Sequence, residues 1–178
     1  MDINEYRAKL QAKVANSDVT EPEPEAPAAE APLGTAQITE ATAALAFLFA
    51  GRALFTLVSK KTGARFTYKM RRASGDDENR PWFVSVLTGS NNEGDYSYIG
   101  VVFPNNPERL VHTRKSKVTV QAPSFRAVAW FLNRLHNAAD ALAQVEFWHE
   151  GQCGRCGRVL TVPESIKTGL GPVCAKMA

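Results

Sequence analysis

The chain predicts an α+β fold: an antiparallel sheet packed by two helices, followed by a C-terminal zinc knuckle of treble-clef-like layout. Three observations carry that prediction. Between residues 53 and 103, short segments such as "ALFTLVS", "ARFTYKM", "PWFVSVLT" and "YSYIGVVF" alternate apolar and polar residues, or run apolar, as strands with one buried face do. Two further segments, "ATAALAFLFAG" and "PSFRAVAWFLNRLHNAADAL", have the continuous or striped apolar pattern of packed helices. All three cysteines fall in the last quarter of the chain, within "WHEGQCGRCGRVLTVPESIKTGLGPVC" at 148–174.

The elements follow in order. Residues 1–16 read as an amphipathic helix: Asp2 and Glu5 resemble a capping box, and Ile3, Tyr6, Leu10 and Val14 share one face. Residues 17–36, with "SDVTEPEPEAPAAEAPLG", read as an acidic, Pro/Ala-rich disordered linker, because they offer nothing to bury and alternate proline with charge. The α+β body is expected over 37–147. Its first helix begins after Thr39-Glu40 and ends at Gly51, and a hairpin follows that turns at Lys60-Lys61-Thr62-Gly63. On its second strand Phe66, Tyr68 and Met70 share the apolar face, while Arg65, Thr67, Lys69 and Arg71 share the other. Two more strands come next. After the turn "PNNPE", "RLVHTRKSKVTV" predicts a short fifth strand with a basic loop. The long helix starts near Pro123, and Phe125, Val128, Leu132 and Leu135 form its core stripe.

Composition bounds the class. At 178 residues and 44% hydrophobic content the chain can bury one main core. The start, Met-Asp-Ile-Asn-Glu, lacks the apolar run of a secretory signal, and no uninterrupted apolar stretch has membrane-spanning length, so a cytoplasmic protein with no membrane partner is expected. Three cysteines, an odd number, point to reduced thiols or metal ligands rather than disulfides. The net charge of +3 divides unevenly: residues 1–36 hold seven acids and three bases, which leaves 18 bases and 11 acids in residues 37–178. The body is therefore basic and the leader acidic, a distribution that suits polyanionic partners.

The 148–178 segment predicts one structural Zn²⁺. "VEFWHEG" reads as a strand delivering His149 to a turn, and Cys153-Gly154-Arg155-Cys156-Gly157 as a CxxC loop relieved by glycine. Gly171-Pro172 then starts a terminal helix whose first turn carries Cys174. Cys153, Cys156 and Cys174 are the predicted thiolate ligands and His149 the predicted fourth, with Glu150, His112 and His136 as alternatives. A redox CxxC would leave Cys174 and His149 without a part and lacks the surrounding βαβ pattern.

The stretch "CGRCGRVLTVPESIKTGLGPVCA" resembles the signature C-x-x-C-G-R-x-L-x-x-P-x-S-x-x-x-G-x-G-P-x-C of an uncharacterised domain family met in bacteriophage and prophage proteins and in some actinobacterial ones. The resemblance implies metal ligation by Cys153, Cys156 and Cys174, with Gly157, Arg158, Pro163, Ser165, Gly169, Gly171 and Pro172 shaping the knuckle, and it implies a phage origin. Upstream, "FTLVSKKTGARFTYK" and "YSYIG" also resemble the region preceding the signature in phage members.

An enzyme is not expected. Three thiolates and a histidine would close the metal's coordination, and the deaminase pairing of His-x-Glu with Pro-Cys-x-x-Cys is absent, as are a phosphate-binding loop and a nucleophile elbow. Two function classes remain. The first is a nucleic-acid-binding module, single-stranded DNA or RNA favoured, using Lys60, Lys61, Arg65, Lys69, Arg71, Arg114, Lys115, Lys117, Arg155 and Arg158. The second is an adaptor or inhibitor that binds host protein through the tethered N-terminal helix and the body.

Overall fold

The computed structural model describes residues 36–177; the predicted N-terminal helix, and the linker up to residue 35, lie outside the described residues. Seven strands form one sheet: β1 (Ala36–Gln37), β2 (Arg52–Ser59), β3 (Arg65–Arg72), β4 (Trp82–Leu87), β5 (Tyr96–Phe103), β6 (Asn106–Val111) and β7 (Val145–His149). Their order is β1-β7-β2-β3-β4-β5-β6, and every neighbouring pair is antiparallel. The helices are α1 (Ala41–Phe49), α2 (Pro123–Asn137), α3 (Ala141–Gln144), α4 (Pro163–Thr168) and α5 (Pro172–Ala175). No helix among the described residues is long and apolar enough to cross a membrane.

The expected α+β class and antiparallel sheet are present, and the period-two pattern decides which way each strand faces. Ala53, Phe55 and Leu57 of β2, Tyr68 and Met70 of β3, and Val84 and Val86 of β4 join Phe47 and Leu48 of α1 and Phe125, Val128, Leu132 and Leu135 of α2 in one core. Phe55 stacks on Tyr68, and Phe131 on Phe147, with centroids 5.4 Å apart in both pairs. The Tyr68 hydroxyl, carried into this interior, donates to the Ser124 carbonyl at 2.8 Å, and burial pushes its pKa far up. The stripe read on α2 is thus core.

Three elements differ from the sequence prediction. The predicted fifth strand begins earlier than expected, at Asn106 within the predicted turn, and ends at Val111, so that the basic residues after it form the loop; it includes Pro107. Proline is tolerated there because β6 is the sheet's edge, where a missing N–H costs no ladder bond. The long helix stops at Asn137; Ala139 has φ +53, and Asp140 ion-pairs back to Arg134, so the chain turns before α3. The strand holding His149 lies inside the sheet, between β1 and β2.

Candidate functional site

The C-terminal segment is built outward from β7. Gly151 turns the chain at φ +69, and Gln152 bridges to Val159, so the two arms of the knuckle are held antiparallel. Cys153 N–H donates to Arg158 O at 2.8 Å and Gly157 N–H to Cys153 O at 2.9 Å, closing the loop between the first two cysteines. Gly157, at φ +76, occupies the left-handed conformation that this closure requires. The chain then runs extended into α4, which Gly169 ends at φ +71. Gly154 N–H donates to Gly169 O at 2.9 Å, and both glycines lie against the Phe47 ring of α1 with no room for a Cβ. Gly169→Ala is expected to lower stability through two effects: about 1–2 kcal/mol for a left-handed alanine and about 1–3 kcal/mol for overpacking Phe47. A thermal melt that moves by less than the error of measurement would contradict this packing.

These contacts bring Cys153, Cys156 and Cys174 together, with the three Sγ atoms within 4.8 Å of one another. A tetrahedral ion bonded to sulfur at about 2.3 Å separates its sulfurs by about 3.8 Å, so the cluster fits a metal. Its electrostatics agree. Burial raises the Cys153 thiol pKa, but the N–H groups of Cys156, Gly171 and Arg155, together with the Cys156 thiol, outweigh burial and bring it down to about 7. Gly171 N–H points at Cys153 Sγ from 3.4 Å. Cys174 is pushed up to about 11, by burial first and then by hydrogen bonding and charge from the other two cysteines. A lone set of thiols therefore resists losing its later protons. A divalent cation removes that resistance, because it stabilises all three thiolates at once.

His149, the predicted fourth ligand, lies outside the cluster of three cysteines. Its ring is fully buried and both nitrogens are engaged: Nδ1 accepts from Gly151 N–H at 3.0 Å, and Nε2 donates to Ile166 O at 2.6 Å. Strand parity explains the orientation. His149 points the same way as Phe147, into the interior beside Phe47, whose ring lies 5.6 Å away. There it fastens β7 to α4. The alternatives are also outside the cluster: Glu150 accepts from the Thr56 hydroxyl, His112 bonds Val118 O, and His136 packs on Phe49. Among the described residues no further His, Cys, Asp or Glu completes the cluster.

The predicted basic residues separate into groups. Arg65, Lys69 and Arg71 lie on the sheet face opposite the core, as their alternation with Phe66, Tyr68 and Met70 requires. Cross-strand register adds residues that the sequence reading missed. Arg52 sits opposite Arg71, and Arg71 opposite Phe83, which is 45% exposed. Lys69 is opposite Ser85, and Ser85 opposite Tyr98; Phe83 and Tyr98 meet edge to face at 6.1 Å. The Lys69 ammonium rests 3.7 Å from the centre of the Tyr96 ring. Trp148, opposite Thr56, shows the same parity on β7. Two-residue alternation within β2 and β4 would have put Arg52 and Phe83 on this face, whereas Tyr98 and Trp148 join it only through the β4–β5 and β2–β7 pairings.

The loop carrying Arg114, Lys115 and Lys117, all exposed, borders this face: Lys117 N–H donates to Tyr98 O at 2.8 Å. Arg155 is pinned to Met177 O at 2.6 Å, and Arg158 is exposed on the knuckle. The knuckle touches the corner of the sheet, since Arg52 N–H donates to Gly154 O at 2.6 Å. Lys60 and Lys61 belong elsewhere, at the β2–β3 tip beside a groove on the helix-bearing side.

Fold and site together define an α+β domain with a C-terminal tri-cysteine cluster able to hold a metal ion. Residues 144–177, which take in β7 and the knuckle, match a family of unknown function, DUF6011. No curated protein and no solved structure matches the chain.

Proposed function

We propose that the chain is a nucleic-acid-binding module that holds single strands on the helix-free face of its sheet, with one zinc ion as a structural tie in a treble-clef-like knuckle. The observation that carries this reading is the row Arg52, Arg71 and Phe83. Two arginines stand in register beside an exposed ring, and among the described residues the only ion pair is Arg134–Asp140. Like charges placed opposite each other on adjacent strands destabilise a sheet, and a phosphate between them reverses the sign. Phe83, Tyr98 and Trp148 offer ring faces to bases, and the Arg114–Lys117 loop extends the cationic rim past Tyr98. The phage setting implied by the knuckle signature is compatible with this role.

Zinc is assigned no reaction. Three thiolates donate enough charge to make it a poor Lewis acid, and the ion's contribution is to fix Cys153, Cys156 and Cys174 relative to one another. The test is titration of a labelled oligonucleotide at several salt concentrations. Affinity should fall with salt at a logarithmic slope of about 0.7 per phosphate contacted, and Arg52→Gln with Arg71→Gln should reduce that slope by about 1.4. Phe83→Ala should weaken binding by about 1–3 kcal/mol at every salt. Binding weaker than about 10⁻⁴ M at low salt would discard the reading.

A further inference from the structure

We propose that the groove between the β2–β3 tip and α2 is the docking site for this chain's own residues 2–15. The groove measures about 980 Å³; Leu57, Phe66, Phe125 and Trp130 form its apolar lining, and Lys61 and Arg126 add positive charge. In a small-molecule site a few polar groups converge on the bound atoms. Here the apolar side chains dominate and the charges belong to exposed residues, the pattern of a trough that takes the apolar side of a helix.

The sequence supplies such an occupant. Ile3, Tyr6, Leu10 and Val14 recur at helical spacing and offer one apolar stripe. Residues 2–15 carry Arg7, Lys9 and Lys13 against Asp2 and Glu5, so the charge complementarity does not lie in the stripe-bearing segment itself. It lies in the tether: Asp18, Glu21, Glu23, Glu25 and Glu30 lead back toward a body whose groove carries Lys61 and Arg126.

The reach is sufficient. Ala36 is paired with His149, and Val145, four residues back along β7, lines the groove. That separation is about 13 Å at about 3.3 Å per strand residue. A tether of about 20 residues has a root-mean-square span of about 25 Å even when flexible. At that length its effective concentration is on the order of 1 mM, so an intrinsic dissociation constant of about 0.1 mM keeps the groove filled about nine-tenths of the time. The groove opens on the helix-bearing side of the sheet and the Arg52–Arg71–Phe83 row on the other. Docking therefore leaves the proposed nucleic-acid surface open.

Hydrogen exchange on the full chain tests the proposal, comparing wild type with Leu10→Glu and with Lys61→Glu/Arg126→Glu. Amides of residues 57–64 and 124–130 should exchange up to about tenfold faster in Leu10→Glu and should be partly released in the charge-reversal variant. The β4 and β5 amides should be unchanged in both, which checks the fold. Equal exchange in wild type and Leu10→Glu would overturn the proposal. So would protection that grows with protein concentration alongside a dimer, because it would give the groove to a second copy.

Discussion

Cys153→Ser should leave the purified protein without its metal and unravel residues 150–177 while the sheet survives. The reason is that the knuckle's own buried core is small. Among its buried side chains are Cys153, Ser165 and Leu170, whereas Val159, Val162 and Val173 are exposed. Structural zinc contributes about 10–16 kcal/mol of apparent binding free energy in small zinc-finger peptides, far more than such a core can supply. Wild-type protein should contain about one zinc per chain, and chelation should reproduce the Cys153→Ser phenotype. Retention of a full equivalent of metal by the variant would contradict the site.

His149→Ala should cost about 3–5 kcal/mol and yet leave metal content at one equivalent, a separation that no ligand substitution would give. The substitution empties a buried aromatic position and strands Gly151 N–H and Ile166 O. A pH series adds a second readout. Burial holds the His149 pKa below its ordinary value, against the opposing pull of the Ile166 carbonyl and Glu150; burial likewise lowers His136, against Glu108. An imidazole whose folded pKa is depressed leaves the unfolded chain with more protons below about pH 6.5. Stability should therefore fall as pH drops from about 6.5 toward the folded-state values and be insensitive to these groups above it. His149→Gln should remove part of that fall and leave the share belonging to His136. Loss of metal from His149→Ala in protein that remains folded would restore the histidine to the ligand set.

Local patterns in the sequence carried much of this architecture. The β2–β3 hairpin, the α2 stripe and the gathering of Cys153, Cys156 and Cys174 all depend on residues close together or on glycine and proline at fixed offsets. What escaped was long-range. The β2–β7 pairing joins Phe55 to His149, and nothing near either residue specifies its partner. The edge position that admits Pro107 is likewise a property of the whole sheet. His149 is the instructive case: closeness to Cys153 in sequence suggested ligation, while its parity with Phe147 pointed it into the core. On the sheet face, Arg65, Lys69 and Arg71 were legible from β3 alone, but Arg52 and Phe83 became their neighbours only through register.

Photocrosslinking tests the functional claim most directly, because it reports where a strand lies rather than only that one binds. Full-length protein would be irradiated with a short oligothymidine at low salt, and the adducts mapped by mass spectrometry. Adducts are expected on Phe83, Tyr98 or Trp148, and should be lost when Arg52 and Arg71 are both replaced by Gln. Adducts confined to the groove side of the molecule, at Phe66 or Trp130, or no adduct despite measurable binding, would contradict it.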